Sequence, residues 1–232
     1  NFHGKPGDFI TIIGSNGAGK STLMNSIAGV FPVDSGRIEI DGKEISGLPE
    51  HKRAKLIGRV FQDPMKGTAF DMTIEENLSI AYNKMRKRGF QAGIDKADRE
   101  LFREKLTLLG MGLENRMKEK VRLLSGGQRQ ALTLFMAVIA EPKLLLLDEH
   151  TAALDPSAAR KVLELTDYFA KNSGLCTMMI THNMKAALEH GNRTILMQGG
   201  QIKMDISGAE RDSMTVEKLV EKFEIDNDRM LL

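Results

Sequence analysis

Nine consecutive residues, Gly14-Ser15-Asn16-Gly17-Ala18-Gly19-Lys20-Ser21-Thr22, constrain this chain more than any other stretch. They match the pattern G-x-x-x-x-G-K-[ST] at every position. Residues 8–13 before them read as a buried strand, and residues 21–30 after them read as a helix. A strand, a glycine-rich turn and a helix in that order make an anion site. The glycines permit positive φ and close backbone approach. Successive N–H groups then face one concavity, and the helix N-terminus adds partial positive charge. Lys20 is placed to reach β and γ phosphates and the Ser21 hydroxyl to ligate Mg²⁺. Average residue usage would give the pattern in a chain this long on the order of one time in a hundred. The flanking strand and helix weaken the reading as a plain glycine-rich connector further, so the stretch implies nucleoside triphosphate binding.

The rest of the chain alternates strand and helix signals. Residues 38–41 follow the turn cluster Asp34-Ser35-Gly36 and read as a short strand. Residues 56–61 read as another, ending at Gln62-Asp63-Pro64, where proline stops the run. From 65 to 123 strand signals vanish. Thr73-Ile74-Glu75-Glu76 is a capping-box pattern heading a helix to about Arg86. Leu101, Phe102, Leu106 and Leu109 recur at helical spacing over 95–109, with Gly89, Gly93, Gly110 and Gly112 as punctuation. Residues 125–140 form a further helical pattern. Leu144-Leu145-Leu146-Leu147 then fits a strand buried on both faces, ended by Asp148 and Glu149. Asp155-Pro156 is an N-cap with proline at N1, opening a helix to about Lys171. A strand at 177–181 has His182 at its end. Residues 184–190 form a short helix, 193–197 and 201–205 a hairpin across Gly199-Gly200, and 216–223 a last helix. Such alternation predicts a parallel sheet covered on both sides. Ligands sit at the carboxyl ends of strands in such sheets. The loop at Gly14, Gln62, Asp148, Glu149 and His182 all fall at that edge.

Composition excludes several classes. The 33 basic and 31 acidic residues give a net charge of +2, without the basic bias of nucleic-acid binders. The run Lys84-Met85-Arg86-Lys87-Arg88 reads as a solvated helix end. The one cysteine, Cys176, rules out an internal disulfide, suits a reducing compartment and reads as an inert, buried thiol. No apolar run approaches the roughly 20 residues of a membrane span, and no signal peptide is visible. The chain opens on Asn1 rather than Met, so further residues are expected before it.

Two adjacent carboxylates, Asp148 and Glu149, repel at a strand end unless a cation or proton is shared. Asp148 on a metal and Glu149 polarising an attacking water resolves the conflict; an exposed turn pair is the plainer alternative. Gln62 and His182 would be strand-end polar residues but for their shared edge. Ser125-Gly126-Gly127-Gln128 fits S-x-x-Q capping, yet its two glycines are poor helix formers. A hydroxyl beside exposed amides makes a second anion device. Either the chain binds two ligands or this device completes a site on another copy.

In order and spacing, the motifs resemble those of an ATP-binding cassette (ABC) ATPase. Residues 14–22 are similar to Walker A, Gln62 to the Q-loop, Leu124-Ser125-Gly126-Gly127-Gln128 to the signature, and residues 144–149 to Walker B. Ala153-Leu154-Asp155 is similar to the D-loop and His182 to the switch histidine. The resemblance implies an α/β fold: a P-loop NTPase parallel sheet core with helices on both faces, an all-helical insertion subdomain and a small antiparallel β part. It implies one ABC ATPase domain, with 1–63 and 124–232 as core and 64–123 as helical subdomain. ATP and Mg²⁺ are the implied ligands. Asn16, Gly17, Ala18, Gly19, Lys20, Ser21 and Thr22 would hold phosphates, and Ser21, Gln62 and Asp148 the metal. Glu149, His182 and Gln62 would be catalytic. Ser125, Gly126, Gly127 and Gln128 would reach ATP on the second copy of a head-to-tail homodimer, with Asp155 at the seam.

The chain departs from the family in two places. Members usually stack adenine on an aromatic residue well upstream of the loop; the two tyrosines here, Tyr82 and Tyr168, both lie downstream, so neither is that contact. His150 stands where most members have proline, and Glu149-His150-Thr151-Ala152-Ala153-Leu154-Asp155-Pro156 resembles stand-alone bacterial importer ATPases. That subgroup implies membrane permease subunits, an extracytoplasmic solute-binding protein, an amino-acid-like solute, and a cytoplasmic place on the inner face of the membrane. The insertion would dock the permease. A soluble ABC ATPase acting on nucleic acid or ribosomes fits a single near-neutral cassette poorly. A GTPase switch would need N-K-x-D, and Asn83-Lys84-Met85-Arg86 lacks the aspartate.

Overall fold

The computed structural model describes residues 1–83 and 94–228. Strand β1 (Phe9–Gly14) runs into helix α1 (Lys20–Ala28). Next come β2 (Glu39–Ile40) and β3 (Lys43–Glu44), an antiparallel ribbon separate from the main sheet. The sequence predicts a single strand over 38–41. Instead Asp41 and Gly42 adopt positive φ of 51° and 70° and fold the segment back on itself. Two consecutive positive φ values are the hairpin turn that Asp-Gly favours. Helix α2 (Glu50–Arg53) and strand β4 (Ile57–Val60) follow. Helices α3 (Ile74–Asn83) and α4 (Lys96–Thr107) occupy the next stretch, which holds no strand among the described residues. The expected end of the first at Arg86 and the basic run 84–88 lie outside those residues. The chain continues as α5 (Gly126–Val138), β5 (Leu144–Asp148), α6 (Pro156–Ser173), β6 (Cys176–Ile180) and α7 (Met184–Glu189). It closes with β7 (Arg193–Gln198), β8 (Gln201–Ser207), α8 (Gly208–Asp212) and α9 (Val216–Asp228).

The main sheet has the order β4-β5-β6-β1-β7-β8. The first five strands are parallel, and β8 pairs antiparallel at one edge through the Gly199-Gly200 turn. Side chains alternate across it as the pleat requires. Ile10, Ile12, Leu144 and Leu146 pack with Met24 and Ile27 of α1 and with Ile45 beside the ribbon. Leu145 and Leu147 face the other way, onto Ala131 and Phe135 of α5 and Phe169 of α6. Ile13 meets Ala187 of α7 and Leu219 of α9. A strand buried on both faces has no polar side to show, which is why β5 reads as four leucines. Helices α3 and α4 contribute Leu78, Phe102 and Leu106 to the cluster that holds α5 and α6, so the helical stretch is continuous with the core.

The expected caps form. Thr73 N donates to Glu76 Oε2 at 2.7 Å, and Glu76 N donates to Thr73 Oγ1 at 3.3 Å. Asp155 Oδ1 accepts from Ser157 N and Ala158 N, opening α6. Each cap fixes where a helix starts and thus where the preceding loop must end.

Candidate functional site at the carboxyl edge of the sheet

Register brings the predicted site together. Leu147 of β5 pairs with Val60 of β4 and Met179 of β6, while Ile180 pairs with Asp148 and with Ile12 of β1. The residues that follow these positions, Gln62, Glu149, His182 and the loop after Gly14, therefore emerge at one edge. An open cleft of about 680 Å³ lies there, lined by Asn25, Arg59, Phe61, Gln62, Lys66, Asp148 and Ala153 among others.

The loop holds its shape through glycine. Gly14, Gly17 and Gly19 take φ of 154°, 80° and 93°. A Cβ on Gly14 would stand 2.3 Å from the Met197 carbonyl oxygen. Gly19 is the left-handed N-cap of α1 and no side chain caps that end, so the first-turn donors keep their anion-binding character. Lys20 is buried, and its Nζ donates to the Gly14 and Ser15 carbonyl oxygens at 2.8 and 3.0 Å. Burial lowers the Lys20 pKa, while Glu149 and Asp148 raise it. Asn16, Gly17, Ser21 and Thr22 are exposed, whereas Ala18 is buried and Gly19 partly so.

The two adjacent carboxylates fall into different surroundings. Burial pushes the Asp148 carboxyl up, and Glu149 pushes it further, against the opposing charges of Arg59, Lys20 and Lys66. Glu149 has a φ of 46°, unusual outside glycine. Its N–H donates to the Ile180 carbonyl, and its Oε1 lies 2.7 Å from His182 Nε2. Pairing of Glu149 with His182 is not evident from the sequence, because 33 positions separate them and only the β5–β6 register joins them. Gln62 is exposed on the cleft wall.

Two contributors, Arg59 and Gln130, escape sequence reading, and of a third, His150, the sequence marks the position but not the partner. Arg59 sits on β4 facing the Asp148 side, donates from Nη2 to Asn25 Oδ1 at 2.6 Å and lies 4.5 Å over the Phe61 ring. A lone arginine in the apolar run Ile57-Gly58-Arg59-Val60-Phe61 was the available signal. Buried Gln130 of α5 donates to the Phe61 carbonyl at 3.3 Å, tying the helix after the signature to the residue before Gln62. His150 is buried, with Nε2 3.1 Å from Thr166 Oγ1; burial, with His190 nearby, holds it down at about 4, so the imidazole is neutral near pH 7.

Ser125-Gly126-Gly127-Gln128 forms a full capping box, and none of the four lines the cleft. Ser125 and Gly126 are exposed. Gly127 is buried, and a Cβ there would stand 2.7 Å from Ala158 Cβ on α6. Close helix packing thus supplies a structural reason for one of the two glycines. The Gln128 side chain accepts from Ser125 N and Arg116 Nη1 and donates to the Met111 carbonyl. Asp155 is exposed at the head of α6. Cys176 is partly rather than fully buried, since it opens β6 beside the N-terminal segment; burial pushes its thiol up to about 11.

The donor set suits a nucleotide with a hard divalent cation: a carboxylate that a cation would relieve, a hydroxyl and an amide oxygen. Beside it stand a backbone anion cradle, a lysine and a carboxylate–imidazole pair. That arrangement can bind a polyphosphate and activate a water.

The family model described as ABC transporter matches residues 1–152. A tyrosine transport ATP-binding protein from Clostridioides difficile is 45% identical over 94% of this chain and 86% of its own length. A high-affinity branched-chain amino acid transport ATP-binding protein from Pseudomonas aeruginosa is 33% identical over 88% of this chain and 83% of its own. A methionine import ATP-binding protein from Rhizobium johnstonii is 36% identical over 85% of this chain, which spans 53% of that relative. Among solved structures, a dimeric post-hydrolysis ATP-binding cassette bound to ADP and phosphate superposes with a TM-score of 0.72 at 28% identity, covering 89% of this chain and 88% of that one. A component of the cbiONQ ABC transporter complex from Clostridium perfringens gives 0.76 at 27% identity, covering 99% and 88%.

Proposed function

This chain belongs to the ABC transporter family, and from that premise we propose that it is the ATPase subunit of an importer for amino acids, working on a separate permease. The observation that carries the catalytic reading is the Glu149–His182 pair beside the glycine loop at one sheet edge. The tyrosine, methionine and branched-chain amino acid transport relatives support the solute class.

ATP is the substrate. Asn16, Gly17, Ala18, Gly19, Lys20, Ser21 and Thr22 cradle its phosphates with backbone donors, the α1 N-terminus and the lysine charge. Lys20 exchanges its bonds to the Gly14 and Ser15 carbonyls for phosphate oxygens. Ser21, Gln62 and Asp148 would hold Mg²⁺, which when bound supplies charge neutralisation at the β and γ phosphates. Glu149 accepts a proton from the attacking water, and His182 orients the Glu149 carboxylate through its Nε2 hydrogen bond. Ser125, Gly126, Gly127 and Gln128 of a second copy complete the site, with Asp155 at the seam. The likeness to a dimeric cassette supports that assembly.

Residues 64–123 are read as the helical subdomain and the remainder as the cassette core. No helix among the described residues is long and apolar enough to cross a membrane, so permease subunits would carry the solute and hold this chain at the inner face. An extracytoplasmic binding protein would deliver it. The test is Glu149→Gln: ATP hydrolysis falls to background while ATP binding persists and an ATP-loaded dimer accumulates on gel filtration. Turnover at the unmodified rate would remove Glu149 from the mechanism.

A further inference from the structure

Glu149 is held in a conformation that its own chemistry does not favour. Its φ of 46° lies in the left-handed region, which L-residues other than Asn, Asp and Gly rarely occupy. Something outside the residue must hold it there. On one side the restraint is plain: Glu149 N donates to Ile180 O at 3.2 Å, and Ala152 N donates to Glu149 O at 3.0 Å. On the other side is His150, the residue the sequence marks as a departure from the family.

His150 is 2% exposed and Thr166 is 0% exposed. The Thr166 hydroxyl donates to the Val162 carbonyl at 2.9 Å, one turn back on α6. Its oxygen is thereby left to accept, so the proton between the two side chains belongs to His150 Nε2, 3.1 Å away. Tautomer and direction of the bond are both fixed. Thr166 lies about three turns along α6 from the Asp155 cap. The loop from Asp148 to Asp155 is therefore pinned to one helix twice, at its end by Asp155 and at its start by His150. Helix α6 is a firm anchor, with Val162, Leu165, Phe169 and Ala170 buried in the core it shares with α5.

We propose that the His150–Thr166 pair is a positioning element for catalysis, which locks the backbone after Asp148 to α6 and so keeps the Glu149 carboxylate aimed at His182 and the attacking water. Neither side chain touches substrate. The assignment rests on Glu149 being the base, as read above. Loss of the bond leaves a buried imidazole donor unpaired. It frees Glu149 to relax toward negative φ and to leave His182. Nucleotide affinity, set by the glycine loop and Lys20, stays as it was.

The test uses the full chain and steady-state ATP hydrolysis. Thr166→Val keeps the volume and removes the acceptor; kcat should fall about tenfold while KM for ATP moves less than about twofold. Thr166→Ser keeps the hydroxyl and should restore most of the rate. His150→Gln keeps a donor near the Nε2 position and should retain more activity than His150→Leu. The double variant Thr166→Val with His150→Leu should be no slower than the worse single variant, because one bond is being removed. In a Glu149→Gln background, Thr166→Val should leave ATP-dependent dimer accumulation unchanged. Unaltered kcat in Thr166→Val and in His150→Leu would overturn the proposal. So would a fall in Thr166→Ser as large as in Thr166→Val, or a KM that rises in step with the loss of kcat. If Glu149→Gln itself turns over normally, the base assignment and this proposal fall together; if it is inactive and Thr166→Val is silent, only the positioning pair falls.

Discussion

At the scale of single residues, Asp148 shows a site held ready at some expense to stability. Burial and the neighbouring Glu149 push its carboxyl pKa up in the folded chain. The folded state therefore holds that proton more tightly than the unfolded chain, and stability declines as pH rises from the ordinary carboxylate range through the folded value. At neutral pH the charge is a net burden in the absence of a cation. Asp148→Asn should raise the melting temperature of the nucleotide-free protein by a few degrees while removing Mg²⁺-dependent hydrolysis. A lower melting temperature, read by differential scanning calorimetry, would contradict that electrostatic account. Cys176 gives a second single-residue check. With its thiol pushed up to about 11 from an ordinary 9.0, alkylation by iodoacetamide at pH 8 should run about a hundredfold slower than for an unperturbed thiol. Urea unfolding should abolish the difference. Asp148, Glu149, Gln62 and His182 were legible as strand-end polar residues because a parallel sheet delivers all such ends to one edge. Their partners were not. That Glu149 bonds His182, or that Arg59 opposes Asp148, depends on the register of strands far apart in sequence, which no local pattern carries.

At the scale of elements, helix starts were the most legible feature, because a cap is a local hydrogen bond between residues three apart. Thr73 with Glu76, Ser125 with Gln128, and Asp155 all formed as their spacing predicts. The ribbon at 39–44 was missed because its strands are two residues each, too short for alternation to register, while its Asp41-Gly42 turn stood in plain view. Helix-to-helix distance was invisible as well, and it changes the meaning of Gly127. An added Cβ there would stand 2.7 Å from Ala158 Cβ, on a helix that cannot simply swing aside. Gly127→Ala should therefore destabilise by about 1–3 kcal/mol despite alanine's better helix propensity. The compensating change Ala158→Gly should recover most of that loss in urea unfolding. Hydrolysis separates the two roles of Gly127. If stability returns in the double variant and ATP turnover does not, the glycine also serves nucleotide on the second copy. If both return, close packing accounts for it entirely.

At the scale of the whole molecule, the start of α5 is capped within the chain and does not line the cleft beside Gln62 and Asp148, so on the two-copy reading it serves nucleotide on another copy. Ser125 is exposed and caps α5. Ser125→Arg removes that cap at about 1 kcal/mol, too little to unfold the chain. ATP binding by the monomer should persist in this variant and be strongly weakened in Lys20→Ala, as equilibrium dialysis would show; equal losses would argue against a shared site. Coupling to a permease needs a surface near Gln62, and within the expected docking insertion the turn Pro64–Gly67 is the part that reaches the cleft there. The cleft by Gln62 is walled by Asn25 of α1, Glu50 of α2, Arg59 of β4 and Pro64 and Lys66 of the turn Pro64–Gly67, with no lining residue from α3 or α4. Glu76 is engaged in the Thr73 cap that its spacing predicts, so reversing it would disturb α3 as well as any contact. Met65 is exposed beside the cleft, does not line it and is free of that complication. A permease segment seated there would sense Gln62 directly, which gives the state-dependent contact that coupling requires. Met65→Asp should thus abolish permease-stimulated hydrolysis and transport while leaving basal hydrolysis within about twofold. Glu221→Lys, on the exposed face of α9, should leave stimulation intact. Reconstituted ATPase rates with and without permease decide the matter: full stimulation in the Met65 variant, with loss in the α9 variant, would move the docking surface to the opposite side of the sheet.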